Sequence, residues 1–463
     1  MRIVIIGGGA AGATAAQFAR KQSRDAEIIV FEASRYPQYS KCGLPYVLSG
    51  HIPDFRSLIE FSEEWFQRNR IDLCLGSSVT EIDPATKCVK ATGGCGNRVI
   101  EYDSLIFATG AVPSVPKIEG VYTDGGGLLQ GVFLFRDMDD AKALKEWCEK
   151  AKRRVLIVGA GLVGLELAEA MHTKGHEVLV VEFLDSVLPT MIDPDMAQLL
   201  EQEISRHGVS LRSSTYLQSI RPADNGLIAT LVSRKDGKSE EEVVDTVVLA
   251  TGQKPQSVLA QKIGCRVGKA GHIIVDRRCQ TNLEGVFAVG DCTQYADFVT
   301  GVGWPIGLGS LAVKMGEVAG RNAAGGTAYL PKGFVNARVS KLFGMEIGAV
   351  GPLSSALSAA GIKLVQARVK GQTLPAYYPG GKEITVKLTA SPEDGRILAC
   401  QIIGEKESGL RIDIIAAMMI GGLKIWDLAM LETTYAPPVA PCVDVLASAA
   451  QAIMIKMERT RRM

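Results

Sequence analysis

The stretch Ile3-Val4-Ile5-Ile6-Gly7-Gly8-Gly9-Ala10-Ala11-Gly12 decides the fold. Arg2 to Ile6 is a short β-branched apolar run, which predicts a buried strand. Gly7 to Gly12 fits GxGxxG, with its glycines at Gly7, Gly9 and Gly12, and an Ala-rich helix is predicted from about Ala11 to Lys21. Ile28 to Phe31 is the next predicted strand, and it ends in Glu32, 20 positions after Gly12. Glycines let the backbone approach a pyrophosphate at the helix N-terminus, where unpaired N–H groups and the helix dipole favour negative charge. A carboxylate at the end of the second strand accepts hydrogen bonds from a ribose. A lone GxGxxG is weak, but here strand, loop, helix and acid stand together.

The pattern recurs. Arg154 to Val158 is a predicted strand, Gly159-Ala160-Gly161-Leu162-Val163-Gly164 the loop, and a helix follows through Glu166 and Glu169 to about Lys174. Val178 to Val181 ends in Glu182, 18 positions after Gly164. Two complete units read as two dinucleotide sites; the plainer alternative is that one is a relic. Two further segments resemble each other, Leu105 to Gly110 and Val247 to Gly252. Each is an apolar strand leaving through Ala-Thr-Gly. Thr281 to Asp291 holds another strand ending in Gly290-Asp291, with a helix predicted from about Pro305 to Arg321. Asp291 could simply cap a helix.

Residues 325–332 break the pattern and read as a domain boundary. Beyond them no GxGxxG occurs. Strands are predicted at Ile384 to Leu388 and Ile397 to Ile403, and helices at about Gly409 to Gly421 and Val443 to Met457. The first of these helices is apolar nearly all round, which predicts burial in a core or against a partner chain.

Bulk composition excludes several function classes. The 463 residues carry 51 Lys and Arg against 50 Asp and Glu, so nothing invites nucleic acid or an anionic membrane. The ten cysteines include no CxxC, and the nearest to a cluster is Cys88 with Cys95. No metal site and no local dithiol is expected, and the cysteines read as reduced and intracellular. The first apolar run meets glycines after four residues, unlike a signal peptide. Ile412 to Leu423 is too short to span a bilayer. A soluble, cytoplasmic protein is expected.

One cysteine stands apart, in Tyr39-Ser40-Lys41-Cys42-Gly43-Leu44-Pro45-Tyr46. Cys42 reads either as a redox centre or as one more buried thiol. Lys41 beside it, and a helix predicted to begin after Gly43, are expected to lower its pKa and favour the thiolate.

Over its whole length the sequence resembles the FAD-dependent pyridine nucleotide–disulfide oxidoreductases. It is most similar to their single-cysteine branch of coenzyme A-disulfide reductases, NADH oxidases and peroxidases, and persulfide reductases. The resemblance implies an α/β fold with two Rossmann-like dinucleotide-binding domains and a C-terminal α+β dimerisation domain. The expected boundaries are 1–115 and 251–325 for FAD, 116–250 for NAD, and 326–463 for dimerisation. It further implies that Gly7, Gly9, Gly12, Glu32, Gly110 and Asp291 hold FAD. Gly159, Gly161, Gly164 and Glu182 would hold the nicotinamide dinucleotide, with Glu166 near its ring. Cys42 would be the redox cysteine. Tyr378 (in Ala376 to Gly380) and Tyr435 (in Tyr435 to Pro438) would come from the other subunit of a homodimer as proton donors, or else as interface hydrogen-bonding groups.

Glu182 favours NADH over NADPH, because a carboxylate there repels a 2′-phosphate and no Arg or Lys occurs from Phe183 to Leu188. The oxidase and peroxidase members usually carry a histidine in the first loop, where this sequence has Ala10-Ala11. Gln17 and Arg20 resemble residues that contact coenzyme A, whereas Gln38 and Lys41 stand where those enzymes often have Ser and Asn. Cys442, seven positions after Tyr435, is either a resolving thiol or a packed interface thiol. The expected reaction passes electrons from NADH through FAD to Cys42 and on to a small disulfide or persulfide, with coenzyme A among the candidate carriers. The alternatives are an electron-transfer subunit for an iron–sulfur partner, suggested by Gly303 to Gly307, or an NADH oxidase. The basic stretch Arg459-Thr460-Arg461-Arg462 reads as a solvated tail and decides nothing between them.

Overall fold

The computed structural model describes residues 1–462, with side chains up to residue 460; the side chains that end the basic stretch lie outside the described residues. Arg2–Ile6 is the middle strand of a five-stranded parallel sheet. The order is Val286–Ala288, Ser104–Phe107, Arg2–Ile6, Glu27–Phe31, Asp72–Cys74. A second parallel sheet repeats the plan around Arg154–Val158, in the order Val132–Leu134, Thr246–Leu249, Arg154–Val158, Glu177–Val181, Ser210–Arg212. Their central strands are buried on both faces, as unbroken runs of Ile, Val and Leu require.

The repeat extends past the glycine loops. Each sheet carries a three-stranded antiparallel meander, Ser77–Asp83 to Arg98–Glu101 in the first and Thr215–Ala223 to Ser239–Val244 in the second. The chain passes between the two units twice, through Ala111–Pro113 and Gln253–Pro255, and these segments pair as one antiparallel ribbon.

Helix Ala10–Gln22 lies against helix Gly309–Ala323. The contact explains the Ala-rich sequence: a Cβ on Gly316 or Gly320 would overlap the Ala11 or Ala15 carbonyl oxygen. The later helix starts after the predicted Pro305, because Gly303–Pro305 pairs with the strand Thr293–Ala296 instead.

The C-terminal sheet is antiparallel, in the order Arg338–Leu342, Met345–Val350, Ile397–Gly404, Glu383–Ala390, Val365–Gln372. Helices Ser408–Gly421 and Val445–Arg462 cover it. The first buries Ile412, Ile415, Met418 and Met419 but leaves Leu410 and Ile420 exposed, so one apolar side faces outward from the single chain. Among the described residues no helix is long and apolar enough to cross a membrane.

Candidate active site

The two glycine loops are built alike. A Cβ on Gly12 would overlap the Gly7 carbonyl oxygen, and one on Gly164 the Gly159 carbonyl oxygen. Gly7 and Gly159, at φ +106° and +109°, press against the carbonyls of Ala108 and Ala250. This contact accounts for the paired Ala-Thr-Gly segments: each is the surface against which a loop turns. Gly110, at φ +65°, leads the chain away beside the first loop, with open space at its Cα.

Helices Ala10–Gln22 and Leu162–Thr173 begin at Gly9 and Gly161 without a side-chain cap, and no atom lies within 4 Å of where a Cβ would stand. Their first N–H groups are therefore open to an anion. Glu32 accepts from the N–H of Gly8 (2.6 Å) and Ser34 (2.8 Å). Glu182 accepts from Ala160 (2.7 Å) and Leu184 (2.8 Å). Each carboxylate oxygen keeps a further lone pair for a ribose hydroxyl. Both cradles thus fit a dinucleotide.

Asp291 lies in the turn Gly290–Cys292 after strand Val286–Ala288. It caps no helix; the next one starts at Gly309. Its carboxylate pairs with Arg136 Nη2 at 2.9 Å, and Arg136 Nε donates to the Ala111 carbonyl at 3.1 Å. Sequence reading missed Arg136, which carries no local signal beyond the Asp137 cap that starts helix Met138–Glu149.

Cys42 sits in the turn Lys41–Gly43 that leads into helix Leu44–Ser49, as expected. It is open to solvent, with protein packed closely around it. The expected lowering of its pKa is not found. Burial pushes the thiol up, Glu166 and Asp291 push it further, and Arg136 pulls the other way. Lys41 is not among its leading influences, and its own ammonium is lowered by burial and by Arg136. The helix is only six residues long and begins two positions away, so its dipole is weak here.

Glu166 accepts from Ser340 Oγ at 2.8 Å, and burial holds its carboxyl above the ordinary range. Burial and then Glu166 also raise the Tyr46 phenol, while Ser340 beside it pulls the other way. The C-terminal sheet thereby supplies Ser340 to a cluster of Cys42, Tyr46, Glu166, Asp291 and Arg136.

Tyr378 and Tyr435 are exposed on the C-terminal part and hydrogen-bond to no residue of this cluster within the chain. Tyr435 Oη pairs instead with Tyr377 Oη at 2.7 Å. Cys442 is exposed nearby. Arg20 is not free for a ligand, because its guanidinium donates to the carbonyls of Asn69, Ser23, Arg24 and Arg70. Gln38 is buried, and its Oε1 has no partner.

Two dinucleotide cradles with a cysteine beneath them define a nucleotide-dependent oxidoreductase. The chain belongs to the pyridine nucleotide-disulphide oxidoreductases: the family model of that description matches residues 1–315, and the model of the family's dimerisation domain matches residues 339–446. It is 37% identical over 99% of both chains to a protein named NADH oxidase from Methanocaldococcus jannaschii. It is 36% identical, over 96% of both chains, to an NAD(P)H coenzyme A polysulfide/persulfide reductase from Pyrococcus horikoshii. The solved structure of an NAD-dependent persulfide reductase from A. fulgidus superposes with a TM-score of 0.93 at 33% identity, covering 99% of this chain and 84% of that one. The protein is thus an enzyme, a flavoprotein of the FAD- and NAD(P)H-using class, with a dimerisation domain.

Proposed function

We propose that the enzyme oxidises NADH and reduces a low-molecular-weight disulfide or persulfide at Cys42, coenzyme A being one carrier, as a homodimer. The observation that carries this reading is Cys42 itself. It is exposed to solvent and feels the charges of Glu166 from the second nucleotide unit and Asp291 from the first, with no second cysteine in its turn. The names of the relatives from Pyrococcus horikoshii and A. fulgidus support the sulfur acceptor.

In this reading Gly7, Gly9, Gly12, Glu32, Gly110 and Asp291 hold FAD, which when bound relays two electrons between nicotinamide and sulfur. Gly159, Gly161, Gly164 and Glu182 hold NADH, and Glu166 borders the nicotinamide. The domain limits given above belong to the same proposal. Glu182 is 7% exposed; Arg234 is taken up by the Phe183 carbonyl (2.8 Å) and Asp185 (3.8 Å), and Arg212 by Glu240 and Glu242, which favours NADH over NADPH. The Cys42 thiolate attacks one substrate sulfur and releases the other as a thiol, leaving a mixed disulfide for the electrons to cleave. Tyr435 and Tyr378 of the second chain protonate the departing sulfur. Since Arg20 is occupied, a coenzyme A carrier is held by other cations.

The test gives NADH with coenzyme A disulfide, its persulfide, polysulfide, oxygen and an iron–sulfur protein to wild type and Cys42→Ser. Wild type should turn over a disulfide or persulfide; Cys42→Ser should lose that turnover while NADH still bleaches its flavin. Equal sulfur turnover by Cys42→Ser overturns the reading, and turnover with oxygen or the iron–sulfur protein alone replaces it. Likeness to solved ferredoxin and putidaredoxin reductases, at 21% and 19% identity, shows the fold alone.

A further inference from the structure

Cys74 ends the edge strand of the first sheet, and its carbonyl accepts from the Glu32 N–H at 2.9 Å. Its side chain is fully buried. Arg98 Nη1 lies 2.9 Å from the Cys74 sulfur and is itself fixed by Asp72 at 2.8 Å, with the guanidinium over the Phe31 ring. Cys95 sits at the tip of the hairpin between Cys88–Gly93 and Arg98–Glu101, in Gly93-Gly94-Cys95-Gly96.

The tip folds back onto the end of that edge strand. Gly94 N–H donates to the Gly76 carbonyl at 2.9 Å, and Cys95 N–H to Ser77 Oγ at 3.1 Å. A Cβ on Gly94 would overlap the Leu75 carbonyl oxygen, so only glycine allows this approach. These backbone contacts set the exposed Cys95 beside the end of the strand that carries the Cys74 thiol, close enough for the two thiols to influence each other. Cys88, its nearest cysteine in sequence, is not the one it meets, and the local dithiol not expected from spacing arises through tertiary folding with Cys74.

We propose that Cys74 and Cys95 form a second, non-catalytic dithiol that closes to a disulfide by exchange with a low-molecular-weight disulfide. The exposed Cys95 thiolate attacks one sulfur of the small disulfide, forms a mixed disulfide and expels one small thiolate. Cys74, losing its proton beside Arg98, then attacks the Cys95 sulfur and expels the second. The two cysteines lose two electrons and two protons, and the small disulfide becomes two thiols.

The surroundings set the order of these steps. Burial, and then Cys95, push the Cys74 thiol up to about 12, so Cys74 rests as the thiol and is not the first sulfur to attack. Once Cys95 is in a mixed disulfide its sulfur is no longer ionisable, and Arg98 still favours the Cys74 anion. The glycines around Cys95 let the sulfurs close to the ~2.05 Å of a disulfide.

This closure bears on the nucleotide. Cys74, Gly76 and Ser77 are hydrogen-bonded to the Glu32–Ser34 segment, through Glu32 N–H to the Cys74 carbonyl, Gly76 N–H to the Ser34 carbonyl and Ser77 N–H to the Glu32 carbonyl, each 2.9 Å. A disulfide would tie the hairpin to this edge and slow the release of FAD.

The experiment treats the purified holoenzyme with oxidised glutathione, quenches with N-ethylmaleimide, and maps tryptic peptides by mass spectrometry. A Cys74–Cys95 cross-link is expected in wild type. Cys74 recovered only in thiol or alkylated form overturns the proposal. The variant for comparison is Cys95→Ser, since Cys95 is exposed and its loss spares the core. Release of flavin fluorescence in mild urea should be at least about 3-fold slower for oxidised than for reduced wild type, and equal for the two forms of Cys95→Ser. Cys42 is intact in both proteins, so it cannot produce that difference. Equal release from both forms of wild type overturns the coupling to FAD.

Discussion

Ser340, on the first strand of the C-terminal sheet, donates a 2.8 Å hydrogen bond to Glu166 on the helix of the second nucleotide unit, 174 positions away. The bond holds a half-buried carboxylate beside Cys42. Glu166, when ionised, opposes the thiolate. Glu166→Gln removes that charge, so the midpoint of Cys42 alkylation by iodoacetamide should move to lower pH. An unchanged or higher midpoint would show that Glu166 does not act on the thiol. Burial raises the Glu166 carboxyl, so its folded form is favoured below its unfolded pKa and loses that advantage as pH rises through the folded value. The glutamine variant should therefore gain thermal stability relative to wild type from pH 5 to pH 8.

The duplicated loops can be separated by one atom each. A Cβ on Gly12 or Gly164 has no room, and overpacking of this kind costs about 1–3 kcal/mol or more. Gly12→Ala should purify with little flavin, read from the ratio of visible to ultraviolet absorbance. Gly164→Ala should keep its flavin and show a KM for NADH raised about 10-fold. The opposite assignment of defects would reverse the roles of the two loops.

Lys387 is buried on the C-terminal sheet between Asp193 (2.8 Å) and Asp195 (2.6 Å). Lys387→Met leaves Asp193 buried without its cation and should cost about 3–5 kcal/mol, seen as a lower melting temperature. Adding Asp193→Asn should restore part of it. Burial raises the Asp193 carboxyl, but the Lys387 and Ser354 hydrogen bonds outweigh this and hold it below its usual value. That stabilisation is present above the unfolded pKa and fades as pH falls through the folded one, so the gap between wild type and Lys387→Met should narrow below about pH 4.

Tyr435 carries the proton-donor proposal most directly. Tyr435→Phe should slow disulfide turnover by about 10- to 100-fold without changing the rate at which NADH reduces the flavin. Tyr378→Phe tests the second donor in the same assay. Tyr377→Phe, which breaks the 2.7 Å phenol pair, should have a smaller effect because it removes only a positioning contact. If flavin reduction slows in parallel, the tyrosines act on the fold of the site and not on the leaving sulfur.

Most of the fold was legible because two periodic units announce themselves locally. Strand, glycine loop, helix and acid fall within about 30 residues, and Glu32 and Glu182 make the same pair of backbone hydrogen bonds at their strand ends. The cysteine turn was legible for the same reason. Its electrostatics were not: Lys41 is adjacent in sequence, but burial, Glu166 and Asp291 govern the thiol, and all three arrive through tertiary packing. Arg20 looked available as a cation, but four carbonyls claim it, and carbonyl positions leave no trace in a sequence. The Cys74–Cys95 contact was invisible because spacing points to Cys88, whereas a hairpin folded onto a strand end selects Cys74.

The ribbon of Ala111–Pro113 and Gln253–Pro255 has a mechanical meaning. The two crossings of the chain between the nucleotide units lie side by side, and a shared core of Leu44, Val47 and Leu48 with Leu144, Leu165 and Leu167 joins the same units a second time. The Ser340–Glu166 and Lys387–Asp193 contacts fasten the same unit to the C-terminal sheet, in the manner of latches. The first latch includes the carboxylate that faces Cys42, so the fastening of this unit and the charge facing the thiol rest on one hydrogen bond.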